Sequence, residues 1–180
     1  LAIAMVEERH RALSFRGAER IVAEYIEERS EADAELAKIK PESFLKRLIN
    51  EASLLKAMGR AERKVLFEHA LIMEYFAALH LSKMEPEAFK AFLTDFNIKK
   101  AYRWAPVFSI APSVLEAPPA GYAFIETILD TSGSLAEKRP ELAKTLLSFA
   151  LRSDVDALDR MRWKSRQALA EKAEDLLGQL

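Results

Sequence analysis

The chain has 180 residues, half of them hydrophobic, and a formal net charge of -1. Because Lys and Arg nearly balance Asp and Glu, the composition argues against a general binder of nucleic acid or of anionic membranes. The absence of cysteine excludes disulfides and thiolate zinc sites and fits a cytoplasmic protein.

Targeting and membrane signals are also lacking. No apolar run approaches the roughly 18–20 residues that a transmembrane helix needs, so we expect no membrane association. The first six residues have neither the basic leader nor the cleavage site of a signal peptide. Because the chain begins at Leu1 rather than Met, we expect it to be a fragment of a longer protein. Few Gly and Pro, with many Ala, Leu, Glu and Lys, predict a mainly α-helical fold.

Three helices are predicted first, over residues 1–12, 18–29 and 41–52. Gly17 is expected to end the first of them in a left-handed turn, and Pro41 suits the first turn of the third. Residues 30–40 are charged and rich in Ala, and both a solvated helix and a linker fit them.

The sequence period then changes from that of a helix to that of a short β-hairpin. Residues 53–56 form an extended segment, Gly59 can hold the positive φ of a turn, and residues 64–67 form the return strand. Three helices followed by a hairpin is the element order of a winged helix. We therefore predict a winged-helix-like domain over residues 1–83.

A long apolar segment follows the hairpin. Residues 70–81 contain no Gly or Pro and predict a helix. Its apolar side chains recur at spacings of three and four, so we expect it to be buried over most of its circumference, Tyr75 and Phe76 included. Glu74 lies at the margin of the apolar face, as a surface charge or as the partner of a buried Arg. His69 lies at the strand-to-helix junction, among the first backbone amides of the helix.

A pattern of residues links the return strand to this helix: Phe67, His69, Glu74, Tyr75, Phe76, Ala77 and Ala78. It resembles the end of the winged-helix domain in NACHT-type signalling ATPases, which include animal nucleotide-binding immune receptors and many bacterial relatives. This chain departs from the family at Met73, where Gln is usual.

The resemblance implies a regulatory role rather than an enzymatic one. In the family, a histidine at the position of His69 contacts the β-phosphate of bound ADP and helps to hold the inactive state. The resemblance thus makes His69 a candidate nucleotide contact, with ADP or ATP bound only in the full-length protein. It also implies an ATPase core upstream and a sensor downstream in the same polypeptide, and defence against phage as the setting. Without the resemblance, His69 reads as a structural histidine that hydrogen-bonds the junction.

Residues 84–180 are predicted to form a second domain of irregular α-helical hairpins, similar to an α-solenoid. Helices are expected to begin near Glu85, Asn97, Tyr122, Pro140 and Ser153. Asn97 is expected to cap its helix, and residues 117–121 and 131–134 are expected to interrupt the helical structure. No fixed repeat is detectable.

Catalytic and metal chemistry have little support. There is no Gly-x-x-x-x-Gly-Lys-Ser/Thr phosphate loop, so we expect no ATPase activity from this chain alone and nominate no catalytic residue. The histidines, His10, His69 and His80, are not spaced as metal ligands, so we predict no metal site. Trp104 and Trp163 read as core residues rather than as ligand platforms.

Nucleic-acid binding ranks third among the functions considered. The helix over 41–52 would be the recognition helix of a DNA-binding winged helix. Its charged and polar residues are Glu42, Lys46, Arg47, Asn50 and Glu51. The mixture of signs disfavours phosphate contacts. A basic cluster at residues 160–166 is surrounded by acidic residues and reads as a solvated helix face.

Two functional hypotheses remain. The first is the regulatory winged-helix and helical segment of a NACHT-type signal-transducing ATPase. The second is a stand-alone α-helical interaction module or adaptor, which presents a groove to a protein partner without nucleotide dependence.

Overall fold

The computed structural model describes the chain except for residues 9–10, 31–34, 60–62, 115–117 and 152–162. The fold is mainly helical, with one small antiparallel sheet of three strands, which confirms the predicted fold class. The chain divides into two compact units, Leu1–Met73 and Glu74–Leu180. The domain boundary predicted between residues 83 and 84 stays a prediction.

The first unit contains both helices and short strands. In chain order they are α1 (Ala2–Glu7), β1 (Leu13–Ser14), α2 (Phe15–Ser30), a 3-10 turn (Leu36–Lys38), α3 (Pro41–Asn50), β2 (Leu55–Met58) and β3 (Lys64–Phe67). Helix α4 (Ala70–Leu81) follows β3 and has the predicted bounds. The sheet order is β1-β3-β2, with Leu13 opposite Val65 and Leu55 opposite Phe67. The small sheet thus brings together strands that flank α2 and α3, in a winged-helix-like arrangement.

The hairpin that forms the wing is confirmed. Gly59 follows β2 with φ 89°, a conformation that residues with a Cβ rarely adopt. Strand β3 lies between its two partners and therefore has the buried residue of the sheet's centre, Val65. Leu45 of α3 and Met5 of α1 are also fully buried, so the core of this unit is aliphatic.

The predicted helix end at Gly17 is wrong. Gly17 lies in the first turn of α2, where its backbone N–H donates to Ser14 Oγ at 3.0 Å. Ser14 therefore satisfies one of the amides that the start of a helix leaves without a partner. The Phe15 N–H donates to the Arg63 carbonyl at 2.8 Å, which fixes the start of α2 against the wing.

The second unit is entirely helical in its described parts. After the end of α4, whose residues from Glu74 onward belong to this unit, its helices are α5 (Pro86–Thr94), α6 (Ile98–Val114), α7 (Pro118–Leu135), α8 (Pro140–Leu151) and α9 (Trp163–Gln179). Helix α7 contacts the other four, so it is the centre of this unit. The predicted cap at Asn97 is confirmed, since Asn97 Oδ1 accepts a hydrogen bond from the Lys100 N–H at 2.9 Å. The predicted cap near Ser153 lies outside the described residues.

Both predicted interruptions of the helical structure are wrong where they can be checked. Pro118 begins α7, because the first turn of a helix needs no proline N–H. Residues 131–134 continue the same helix. The hydroxyls of Thr131 and Ser134 donate to carbonyls within α7, and Ser132 Oγ donates to the Ala143 carbonyl of α8 at 2.8 Å. A Cβ on Gly133 would lie 3.0 Å from Leu176 Cδ2, so this glycine permits close packing of α9 on α7.

Candidate functional site at the wing and helix α4

His69 occupies the junction that the sequence predicts. Strand β3 ends at Phe67 and α4 begins at Ala70. The His69 carbonyl accepts hydrogen bonds from the N–H groups of Ile72 and Met73, at 3.1 and 3.4 Å. Its backbone therefore starts the helix, while its side chain is exposed to solvent.

The residue before His69 is held by the wing. The Glu68 N–H donates to the Leu54 carbonyl at 3.0 Å, and the Glu68 carboxylate lies 3.5 Å from Lys56 Nζ. These contacts hold the backbone and the side chain of Glu68 against β2 and the residue before it. They therefore also fix the position of the next residue, His69.

This arrangement suits an anion. The first amides of a helix have no acceptor within the helix, and they form the positive end of its dipole. An exposed imidazole beside them can donate a further hydrogen bond to a phosphate oxygen. The predicted role of His69 as a nucleotide contact stays a prediction.

The expectation that α4 is buried over most of its circumference is wrong. Met73, Ala77, Ala78 and Leu81 are fully buried and form one face. On the other face, the exposed fraction is 65% for Leu71, 46% for Tyr75 and 39% for Phe76. The predicted core positions of Tyr75 and Phe76 are therefore also wrong.

The cause lies in the composition of the helix. Apolar residues surround α4 almost completely, so its sequence does not distinguish the face that the fold covers. The exposed face, which we define as Leu71, Tyr75 and Phe76, includes an edge-to-face pair of rings with centroids 5.7 Å apart. Large apolar side chains grouped at a surface indicate a place where another molecule or segment binds.

Two cationic segments, on α3 and at residues 160–166, are the sequence candidates for DNA binding. On α3, Lys46 Nζ lies 2.7 Å from Glu42 Oε1, and Arg47 Nε lies 3.2 Å from Glu51 Oε2. Both cations are thus paired with carboxylates of their own helix, which would compete with phosphates. The basic cluster at residues 160–166 lies outside the described residues, apart from the Trp163–Arg166 backbone and the Arg166 side chain.

The structural prediction for Trp104 is confirmed. Its side chain is fully buried, and its ring meets that of Phe92 edge to face at a centroid distance of 4.9 Å. The side chain of Trp163 is outside the described residues. No group of His, Asp and Glu in the described parts of the chain could hold a metal ion.

An ionic network that the sequence did not predict joins α7 and α9. Lys172 of α9 pairs with Asp130 of α7 and lies 3.7 Å from Glu126 Oε1, which also accepts a hydrogen bond from the Tyr122 hydroxyl at 3.2 Å. Burial lowers the pKa of Lys172, but the hydrogen bond and charge of Asp130 outweigh it, and the pKa is raised overall. Burial and the charge of Glu126 raise the pKa of Tyr122. The spacing of Tyr122, Glu126 and Asp130, one helical turn apart, could have revealed this network.

A second missed contact involves Arg139. Its guanidinium donates to the Thr94 carbonyl at 2.8 Å and to the Phe96 carbonyl, at the end of α5. A cation at a helix C-terminus satisfies carbonyls that the helix leaves free. This contact is structural, and no local sequence signal marks it.

Comparison of the chain with protein-family models, curated proteins and solved structures finds no match. Within the described residues, no helix is both long enough and apolar enough to cross a membrane.

Proposed function

We propose that this chain is the regulatory winged-helix and helical segment of a NACHT-type signal-transducing ATPase. The observation that carries the proposal is the continuous path from the wing through His69 into α4, which bears Glu74, Tyr75 and Phe76. The sheet order β1-β3-β2 agrees with a winged-helix domain at this point of such a protein.

In the proposed mechanism, His69 contacts the β-phosphate of ADP bound to an upstream ATPase core. Its exposed side chain at the start of α4 is accessible to such a ligand, and the helix end favours negative charge. Loss of this contact would release the wing from the nucleotide. A downstream sensor that moves the wing could then activate the protein.

The exposed face of α4 has a place in the same mechanism. In the inactive parent protein, we expect Leu71, Tyr75 and Phe76 to be covered by another part of the polypeptide. Burial of such a face stabilises an assembly by about 25 cal/mol per Å2 of apolar surface. The setting we propose is the cytoplasm of a bacterium, in defence against phage.

The central experiment uses the full-length parent protein and measures release of bound ADP. We expect His69→Ala to release ADP faster and to raise activity without a trigger, because one phosphate contact is lost. His80→Ala is the matched control, since His80 is an exposed histidine near the other end of α4. Equal release rates in the wild type and in His69→Ala would contradict the proposed contact.

The parent gene provides an independent test. A phosphate-loop ATPase encoded directly upstream of Leu1 would support the proposal, and a translation start at that point would exclude it.

The exposed face of α4 also favours a second candidate function, a nucleotide-independent interaction module. Here the face would bind a separate protein partner. Leu71→Ser and Tyr75→Ser would abolish that binding, and His69→Ala would not affect it. Dependence of the interaction on ADP or ATP would exclude this alternative.

A further inference from the structure

A groove lies between the wing and the ends of two helices in the first unit. It has a volume of about 430 Å3 and is lined by Phe15, Lys46, Ile49, Asn50, Ala57, Gly59 and Arg63. Phe15 begins α2, the next three residues belong to the last turns of α3, and the remainder belong to the wing. The contact between the Phe15 N–H and the Arg63 carbonyl holds two of these sides together.

The described residues that line the groove carry positive charge. Two of its lining residues are cations, Lys46 and Arg63, and none of the described residues that line it is a carboxylate. Lys46 Nζ donates a hydrogen bond to Glu42 Oε1 at 2.7 Å, and this hydrogen bond lowers the pKa of Glu42. Arg63 adds an exposed guanidinium, which matches the geometry of phosphate oxygens.

The charge distribution along the sequence also indicates a basic region around the groove. Residues 36–64, which supply α3 and the wing, contain eight Lys and Arg against three Asp and Glu. Residues 1–35 contain five Lys and Arg against nine Asp and Glu. The neutral total thus conceals a basic segment, and that segment supplies six of the seven residues that line the groove.

The remaining lining residues could contact a ligand that has a flat ring with polar edges. Phe15, Ile49 and Ala57 supply apolar surface, and Gly59 has no side chain to fill the space. The Asn50 amide can both donate and accept hydrogen bonds. An aromatic ring, an amide and cations together are the set that binds the base and phosphate of a nucleotide.

We propose that this groove binds a nucleotide, either free or as one unit of a single-stranded nucleic acid. Its volume lies in the range of sites for small molecules, roughly 300–1,000 Å3, and is too small for a duplex. A duplex would instead need the open face of α3, where Lys46 and Arg47 are paired with carboxylates.

The groove is distinct from the junction at His69. Arg63 precedes β3 and His69 follows it, so the two lie at opposite ends of that strand. At about 3.3 Å for each residue of a strand, they are separated by more than 10 Å along β3. Binding in the groove therefore does not depend on the function proposed above.

The test measures binding to the 180-residue chain by titration calorimetry, with AMP, a ten-nucleotide dT strand and a decameric Glu peptide as probes. We expect saturable binding of AMP, of the dT strand, or of both. Arg63→Ala is expected to weaken it about ten-fold, the effect of one charge-assisted hydrogen bond. Lys46→Ala is expected to weaken it less, because Glu42 already shares the Lys46 ammonium. Tighter binding of AMP than of the strand identifies the free nucleotide as the source, and the reverse identifies the strand.

Two further variants serve as controls, and a third tests the contribution of the Phe15 ring. Arg47→Ala removes the next cation of α3, which does not line the groove, and is expected to change the affinity less than about two-fold. Phe15→Leu keeps most of the apolar volume and is expected to weaken nucleotide binding several-fold through the loss of stacking. His69→Ala is expected to leave the affinity unchanged, which separates this site from the one at the junction. Circular dichroism confirms that each variant is folded.

Three results would overturn the proposal: no binding of either nucleotide probe, binding of the Glu peptide alone, or equal weakening by Arg47→Ala and Arg63→Ala.

Discussion

The two units differ in where they place their aromatic rings. In the second unit, Phe89, Phe96, Trp104, Phe108, Phe124 and Phe149 are buried together. In the described part of the first unit, every buried hydrophobic residue is aliphatic, and Phe15, Phe44 and Phe67 are only half-buried. The second unit thus buries a cluster of six rings, whereas no described ring of the first unit is buried. Three other rings of the second unit, Tyr75, Phe76 and Tyr102, are exposed.

The largest expected effect is that of Phe108→Ala in the second unit. The Phe108 ring contacts those of Phe89, Phe96, Trp104, Phe124 and Phe149 at centroid distances of 5.2 to 6.4 Å. Its removal leaves a cavity at the centre of the cluster, so we expect a loss of about 3–5 kcal/mol in the free energy of unfolding. Both Trp residues belong to this unit, and urea unfolding followed by Trp fluorescence reports on it directly.

The control in the first unit is Tyr25→Ala. Tyr25 is exposed and stacks under the Arg29 guanidinium at 5.7 Å, so we expect a loss below about 1 kcal/mol. Because the first unit has no Trp, its unfolding in urea is followed by circular dichroism. Similar losses of unfolding free energy in both variants would show that the buried rings do not stabilise the second unit more than the exposed ring stabilises the first.

The next prediction compares the two faces of α4. Met73 is buried and Leu71 is mostly exposed on the same helix. Met73→Ala should cost about 2–5 kcal/mol, because the lost side chain leaves a cavity. Leu71→Ala should change stability by less than about 0.5 kcal/mol, because Ala is an equally good helix former and little burial is lost. Thermal unfolding of the two variants measures the difference, and equal shifts of Tm would show that the exposed face is covered in solution.

The two faces of α4 also show which features of the fold could be predicted from the sequence and which could not. The bounds of α4 were predictable because residues 70–81 lack Gly and Pro, and the wing was predictable from Gly59 and the change of period. The side of α4 that packs was not predictable, since apolar residues occur all around it. When apolar residues occur all around a helix, only its tertiary contacts determine which face is buried.

The errors in the second unit have a related cause. Pro118 and residues 131–134 read as breaks because proline, glycine and hydroxyl residues are common in loops. In α7, the proline lies at the helix start and the hydroxyls bond to carbonyls. At the candidate sites, the position of His69 was predictable from the strand and helix on either side. The groove was not, because its residues come from distant parts of the chain.

A smaller effect is expected for Ser132→Ala. Ser132 is fully buried, and its hydroxyl donates to the Ala143 carbonyl across two helices. Removing the donor should cost about 1 kcal/mol, the net contribution of one hydrogen bond. Ser134→Ala is the matched control, since the exposed Ser134 hydroxyl only bonds within its own helix. Chemical denaturation of both variants measures the difference, and a larger loss from Ser134→Ala would contradict this account of α7.

The smallest expected effect concerns the ion pair that joins α7 and α9. The pKa of Lys172 is raised in the folded protein, because its pairing with Asp130 outweighs burial. On raising the pH, the unfolded chain therefore loses this proton before the folded chain does, near the ordinary Lys value of about 10.4. The stability that the pair contributes is present below that pH and is lost as the pH rises through the higher folded value.

This prediction is checked by comparing the wild type with Lys172→Met in urea unfolding from pH 7 to pH 11. We expect the difference in unfolding free energy to be constant up to about pH 10 and to shrink above it. Tyr122 titrates in the same direction, because burial also raises its pKa, so both proteins are measured with Tyr122→Phe in addition. Lys144→Met is the control for loss of an exposed cation, since Lys144 pairs with Glu141, one turn away on the same helix. A difference that stays constant or grows above pH 10 would show that the charges of Lys172 and Asp130 do not hold α9 on α7.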